Sequence, residues 1–297
     1  MEKNNLRKLL EETNLGIPHK KVPDLDGKVV LVIGASHPSG FGYNFGKIAA
    51  EEGNARVILT VSKPSRVRNL SKYASRFNST ISIFNVTDSS SYQLLEEQIR
   101  EEYGRLDVIV VTPAYLNKKY FTLDFSWKEV PEKDKRECLK ITVYPIRDLT
   151  YTFQNILAKS QGVVYGVSFP IKNLPGYTIG PAKEKLERLV VEKLAPEMKG
   201  KYIRVNIFSL APFDSISSSV IPSYDLIRDL QQRFNCRNIS LGEMVREAVS
   251  TIICNKTGHI YYFDGGLHQA LISPENQKII NLIYEEYIQK KLNLQKL

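Results

Sequence analysis

The chain has 297 residues, 42% of them hydrophobic, enough for one large core, and a net charge of +9. No apolar run approaches the roughly 18 residues of a membrane span, and MEKNNLRKLLEETNLGIPHKK lacks the apolar core of a secretory signal. Three scattered cysteines (Cys138, Cys236, Cys254) and four unclustered histidines offer neither a disulfide framework nor metal-ligand spacing. No metal site is expected, and reduced thiols suit a cytoplasmic setting or an organellar stroma or matrix. The positive charge admits two readings. One is an anionic partner: nucleic acid, a phosphorylated cofactor or an acidic carrier protein. The other is a solvated lysine-rich surface. The basic residues are spread rather than massed, which favours the second reading and gives no reason to expect nucleic acid.

Residues 1–24 read as an extension ahead of the domain. Leu6, Leu9, Leu10 and Leu15 are roughly spaced for one helical face, and Gly16, Pro18 and Pro23 end the pattern. Lys28–Ile33 is a β-branched run suited to a strand covered on both faces. Gly34, Gly40 and Gly42 then relieve crowding where the chain turns into a helix. Gly53 is expected to close that helix in the left-handed conformation, and Arg56–Thr60 is the next strand. Such a turn aims backbone N–H groups and a helix N-terminus at one spot, the arrangement that holds a pyrophosphate. An ordinary strand-to-helix turn carries the same glycines. A basic segment, Lys63–Arg76, follows. Further strands are predicted at Thr80–Val86, Leu106–Val111, Gly162–Ser168, Arg204–Ser209 and His259–Phe263. Helices are predicted at Ser90–Tyr103, Cys138–Leu157, Pro181–Leu194 and Leu241–Cys254. Seven strands alternating with helices predict a Rossmann-type doubly wound α/β fold with a mainly parallel sheet, a single domain over 25–297.

Over about residues 25–270 the motifs resemble the short-chain dehydrogenase/reductases. EYGRLDVIVVTPA (Glu102–Ala114) is similar to that superfamily's helix end and fourth strand, and GVVYGVSF to the strand bearing its serine. YIRVNIFSLAP and GHIYYFDGG are similar to its last two strands. Two features depart from the ordinary alcohol dehydrogenases of the superfamily. Five residues, not three, separate Gly34 from Gly40, and the slot four residues before Lys183 holds Ile179, which cannot donate a proton. Tyr177 is the nearest tyrosine. On an ideal helix its side chain would be turned about 240° from Lys183. Gly180-Pro181, however, predicts that the helix starts there, which leaves Tyr177 in the preceding loop.

A loop tyrosine set farther from the lysine, the long glycine turn of GASHPSGFGYNFGKIA and the proline six residues after Asn206 resemble the enoyl-acyl-carrier-protein reductases. The resemblance is to a divergent member. Five residues separate Tyr177 from Lys183 where that family has six, and Ser168 and Phe169 stand near the place of a second tyrosine. Asn85 replaces an aspartate that usually meets adenine, and Asp214 stands where an arginine is common.

This resemblance implies an NAD(P)H-dependent oxidoreductase that reduces the 2,3 double bond of an enoyl thioester, carried on acyl carrier protein or coenzyme A, in fatty-acid synthesis. It implies Tyr177 as hydroxyl donor to the thioester oxygen. Lys183 would hold the nicotinamide ribose and favour ionisation of the tyrosine, and Ser168 would donate to substrate. The same three residues also read as a packed loop tyrosine, a solvent-facing helix lysine and a strand end. Gly34, Ser36, Gly40, Phe41 and Gly42 would line the pyrophosphate, Asn85 and Val86 the adenine, and Thr112 and Ala114 the nicotinamide-side ribose. Phe213 and Ser215 would face the nicotinamide and phosphate. Lys63, Arg66 and Arg68 follow the second strand, and no acidic residue occupies Thr60–Ser65. That leans toward NADPH over NADH, although three cations also suit a solvated loop. A substrate lid is implied near 214–235, where Ile216, Val220, Ile221, Tyr224 and Ile227 suit an acyl chain or ordinary helix packing. A homotetramer is implied, paired through Cys138–Leu157 and Pro181–Leu194. The alternatives are a superfamily member acting on a ketone, alcohol or imine and, more distantly, a non-catalytic dinucleotide-binding protein.

Overall fold

The computed structural model describes residues 21–123, 125–213 and 221–294. Seven strands form one sheet: β1 (Val29–Ile33), β2 (Arg56–Val61), β3 (Ser79–Ile83), β4 (Val108–Val111), β5 (Val163–Ser168), β6 (Arg204–Leu210) and β7 (Ile260–Phe263). The order is β3-β2-β1-β4-β5-β6-β7, and every neighbouring pair is parallel. The expected doubly wound sheet is therefore present. All five residues of β1 are buried, as an all-apolar strand should be when both of its faces are covered.

The helices are α1 (Phe41–Glu51), α2 (Pro64–Ala74), α3 (Ser89–Glu102), α4 (Glu132–Thr142), α5 (Tyr144–Thr152), α6 (Gln154–Ser160), α7 (Gly180–Arg188), α8 (Ala195–Lys199), α9 (Tyr224–Arg233), α10 (Leu241–Ser250), α11 (Leu267–Ile272) and α12 (Pro274–Leu294). One π-helical turn, Leu189–Leu194, joins α7 to α8. Strand alternation divides the core in two. Val29, Leu31 and Ile33 face a layer with Leu95, Ile146, Leu186, Leu226 and Ile280, whereas Val30 and Val32 face Phe45, Ile48, Leu70 and Val245.

Several local expectations are corrected. Asn54, at φ 61°, takes the left-handed position after α1, and Gly53 does not. The helix expected over Cys138–Leu157 is three helices, α4, α5 and α6. Pro145 lacks the N–H a continuous helix needs, and the Thr150 hydroxyl donates to the Ile146 carbonyl at 2.6 Å, a contact that bends helices. The basic segment Lys63–Arg76 contains helix α2, started by Pro64 at its first turn. Strand β3 ends at Ile83 because the Asn85 side chain accepts from the Thr87 N–H at 3.1 Å and turns the chain. Helix α10 stops at Ser250 and continues as a short 3₁₀ turn. Residues 1–20 of the expected extension lie outside the described residues; Val22 is already buried in the core. Among the described residues no helix is long and apolar enough to cross a membrane.

Candidate active site

The strand order reverses direction between β1 and β4, whose carboxyl ends, Ile33 and Val111, lie side by side. In such sheets the ligand crevice opens outside these ends. Gly34 leaves β1 at φ +90° and donates its N–H to the Thr60 hydroxyl at 3.1 Å. A Cβ there would stand 2.6 Å from Thr112 Oγ1, so only glycine allows β1 and β4 to approach so closely. The turn then runs through Ser36 to Gly40, the residue capping α1. The Asn44 amide holds it from below, donating to the carbonyls of Pro38 at 2.7 Å and Gly40 at 2.9 Å. Phe41 and Gly42 open α1, whose first N–H groups lack partners within the helix. Arg66 reaches across from α2 to Ser36 Oγ at 3.3 Å, which brings a guanidinium to this turn, and Lys63 caps the start of α2.

Asn85 and Val86 follow β3. The Asn85 side-chain oxygen is occupied by Thr87, and the Val86 carbonyl accepts from the Tyr92 hydroxyl at 3.0 Å. A cleft of about 430 Å³ opens beside Val86, lined also by Tyr92, Lys140, Tyr144 and Arg147. Thr112 and Ala114 follow β4. The Thr112 hydroxyl shares its one hydrogen between the carbonyls of Ile33 (2.8 Å) and Gly34 (3.0 Å), so it holds the turn and toward a ribose can only accept. Phe213 packs on the core layer that contains α1. Ser215 and Asp214 lie outside the described residues.

The chemistry-bearing residues gather at the carboxyl end of β5. Ser168 is buried there, and its hydroxyl has no hydrogen-bond partner. Ser209, its register partner on β6, is equally buried and unpartnered. Both hydroxyls are buried near the carboxyl ends of their strands, the side of the sheet on which such a crevice opens, and a buried hydroxyl without a partner is one that a bound group would satisfy. With the Gly34 approach and the α1 N-terminus, they fit a nicotinamide dinucleotide. Helix α7 does begin at Gly180, so Tyr177 stands in the loop ahead of it, as expected. Ile179, in the ordinary tyrosine slot, is a core residue.

Lys183 is not a solvent-facing lysine. It is 5% exposed, and its Nζ donates to the Val167 carbonyl at 2.8 Å. Burial pulls its amine down to about 8. The nearby Cys138 thiol opposes that shift and Lys172 adds to it. Tyr177 is buried with its ring 5.2 Å from that of Phe169. Its hydroxyl is pushed well above the ordinary tyrosine value by burial, and also by Glu187 and Cys138. Burial thus favours the neutral hydroxyl, the form that can donate, and opposes the ionisation that a nearby Lys183 cation would favour.

The sequence reading missed the residues that hold this loop. Lys172 bonds the Phe169 carbonyl and pairs with Glu187 at 2.7 Å, and the Thr178 hydroxyl bonds the Tyr120 carbonyl. Glu187 lies one turn beyond Lys183 on α7, a spacing that could have flagged it. Nothing local marks Lys172, Thr178 or Asn44. Of the expected lid, residues 214–220 lie outside the described residues. Ile227 is buried, and Ile221 and Tyr224 pack on the core. No group of three metal-ligating residues occurs among the described residues.

A family model described as enoyl-(acyl carrier protein) reductase matches residues 34–268, most of the chain. The chain belongs to this family. The enoyl-acyl-carrier-protein reductase (NADH) FabI of Aquifex aeolicus is 24% identical over 274 residues, covering 88% of this chain and 98% of its own. The Rickettsia prowazekii FabI is 26% identical over 253 residues, covering 82% and 94%. Among solved structures, the Bacillus cereus enoyl-acyl-carrier-protein reductase with NADP+ and an indole naphthyridinone superposes with a TM-score of 0.76 at 20% identity. That match covers 83% of this chain and 98% of that one. The Aquifex aeolicus enzyme superposes with a TM-score of 0.74 at 23% identity, covering 84% and 98%. At such identities the likeness carries the fold. As a member of the enoyl reductase family, the chain is an NAD(P)H-dependent oxidoreductase.

Proposed function

We propose that this protein reduces the 2,3 double bond of an enoyl thioester with NAD(P)H, with Tyr177 and Lys183 as the working pair and Ser168 beside them. The observation that carries the reading is Tyr177 in the loop ahead of α7, its hydroxyl kept neutral by burial, at the strand end where Lys183 and the unpartnered Ser168 also lie. The nicotinamide cofactor supplies the hydride. As the hydride adds to the double bond, negative charge grows on the thioester oxygen, and a neutral hydroxyl aimed there stabilises it. Tyr177 supplies that donor. Lys183 is anchored on the Val167 carbonyl and offers its remaining N–H donors to the nicotinamide ribose. Ser168 completes the polar edge.

Gly34, Ser36, Gly40, Phe41 and Gly42 would cradle the pyrophosphate, with Asn85, Val86, Ala114 and Phe213 along the cofactor and Ser215 at its phosphate. Lys63, Arg66 and Arg68 near the turn favour a ribose 2′-phosphate and hence NADPH. The relatives named above are NADH enzymes, while one structural neighbour carries NADP+. An acyl carrier protein as the thioester's carrier and a cytoplasmic location complete the proposal. So does a homotetramer.

The experiment is an absorbance assay of NADH and NADPH oxidation with crotonyl and acetoacetyl thioesters on coenzyme A and on acyl carrier protein. Reduction of the crotonyl thioester supports the proposal. Reduction of the acetoacetyl thioester alone would replace it with a ketone reductase.

A further inference from the structure

Helix α12 lies beyond the matched family span, which ends at residue 268. It is tied into the molecule on one side by Ile280 and Ile283, both buried, and by Tyr284 and Tyr287, which pack on the same core layer. Its polar contacts converge on one place. The Tyr287 hydroxyl lies between the Pro222 carbonyl, 2.9 Å away, and the Asp225 carboxylate, and Lys291 Nζ is 3.1 Å from the same carboxylate. The Pro222–Asp225 turn in turn touches the loop of Tyr177. The hydroxyl of the fully buried Ser223 donates to the Pro175 carbonyl. Gly176, at φ +74°, is so close to the Pro222 ring that a Cβ would stand 2.4 Å from it. Tyr177 is the next residue, and its N–H donates to the Leu174 carbonyl at 2.9 Å. Three short steps thus connect a helix outside the family span to Tyr177.

We propose that Tyr287 and Ser223 are positioning residues for Tyr177: helix α12 straps the Pro222–Asp225 turn onto the Pro175–Gly176 turn and thereby fixes where the Tyr177 hydroxyl points. This rests on the reading of Tyr177 as the hydroxyl donor. The Tyr287 hydroxyl carries more of the coupling than Lys291, because the Lys291–Asp225 pair is solvent-exposed and such pairs contribute little.

The test uses the full chain with Tyr287→Phe, Ser223→Ala and, as a control on the same helix, Lys291→Met. Two readouts are taken: steady-state reduction of a crotonyl thioester, and hydrogen exchange at the Tyr177 amide. Loss of one partly buried hydrogen bond predicts that Tyr287→Phe and Ser223→Ala each lower kcat about threefold to tenfold. KM for the nicotinamide should stay within about twofold, exchange at Tyr177 should quicken by a similar factor, and Lys291→Met should be near parental. A merely structural helix would instead lower melting temperature, cofactor affinity and turnover together, and that pattern overturns the proposal. So does unchanged kcat with unchanged exchange. Should Tyr177→Phe itself prove fully active, the donor reading falls, and the exchange measurement alone then decides whether the strap exists.

Discussion

Burial decides the state of both central side chains. Burial pushes the Tyr177 hydroxyl well up, which favours the neutral form that the proposed donor needs, and Tyr177→Phe removes that hydroxyl alone. We expect kcat to fall by about 10²–10³, the usual worth of one oxyanion donor, with nicotinamide affinity nearly unchanged in a fluorescence titration. Lys183 makes a pH prediction. Its amine sits at about 8 in the folded chain against an ordinary 10.5. Below about pH 8 both folded and unfolded chains hold the proton, and the folded state bears the full cost of a buried cation. Between about 8 and 10.5 the unfolded chain binds more protons, so this residue's contribution to stability rises with pH. Lys183→Met, which has no cation to bury, should therefore unfold at higher urea than the parent at neutral pH. The gap should be at most about 3 kcal/mol and should close toward pH 10. An equal gap at both ends would mean that the amine is not buried as a cation.

The β1–α1 turn carries the sharpest structural demand. Gly34→Ala would put a side chain at φ +90° and 2.6 Å from Thr112 Oγ1. We expect β1 and β4 to part there, and nicotinamide binding measured by fluorescence to weaken about fivefold to thirtyfold, as strain of 1–2 kcal/mol implies. Retained affinity would mean that the turn does not hold the cofactor. This element was legible in the sequence because its signal is local: an apolar run, glycines, a helix. So was the loop position of Tyr177, since Pro181 marks where α7 begins. What was not legible depends on contacts far along the chain. Helix α2 was read only as a basic segment because just two of its residues, Leu70 and Ala74, are buried. The hold of the Thr112 hydroxyl on the Ile33 and Gly34 carbonyls is likewise invisible in the sequence, because it exists only once β1 and β4 are neighbours. Lys172 reaches Glu187 only when the loop folds back on α7. Helix α12 was passed over because its value lies in Tyr287 meeting residues 62 and 65 positions earlier.

The proposed assembly would pair through the outer helices. Helices α5 and α7 contribute Ile146 and Leu186 to one core layer, and Tyr144 and Lys185 bring them together at the surface. There Tyr144 lies under both the Arg147 guanidinium, at 5.0 Å, and the Lys185 ammonium, at 5.8 Å. Tyr151 on α5 bonds Glu197 at 2.7 Å and is 37% exposed, as is Val191 in the π-helical turn that follows α7. Apolar and aromatic surface rimmed by charge is what a self-complementary interface uses, and a two-fold operator would set this patch against its own copy. A second, different two-fold would then make the proposed tetramer. Light scattering at micromolar concentration should give about four times the 33.8 kDa of one chain. Val191→Glu places like charges across the first two-fold and should lower that mass while leaving the circular dichroism of the folded chain intact. A parental mass in Val191→Glu would move the interface off this helix face, and a monomer in the unaltered chain would remove the tetramer altogether.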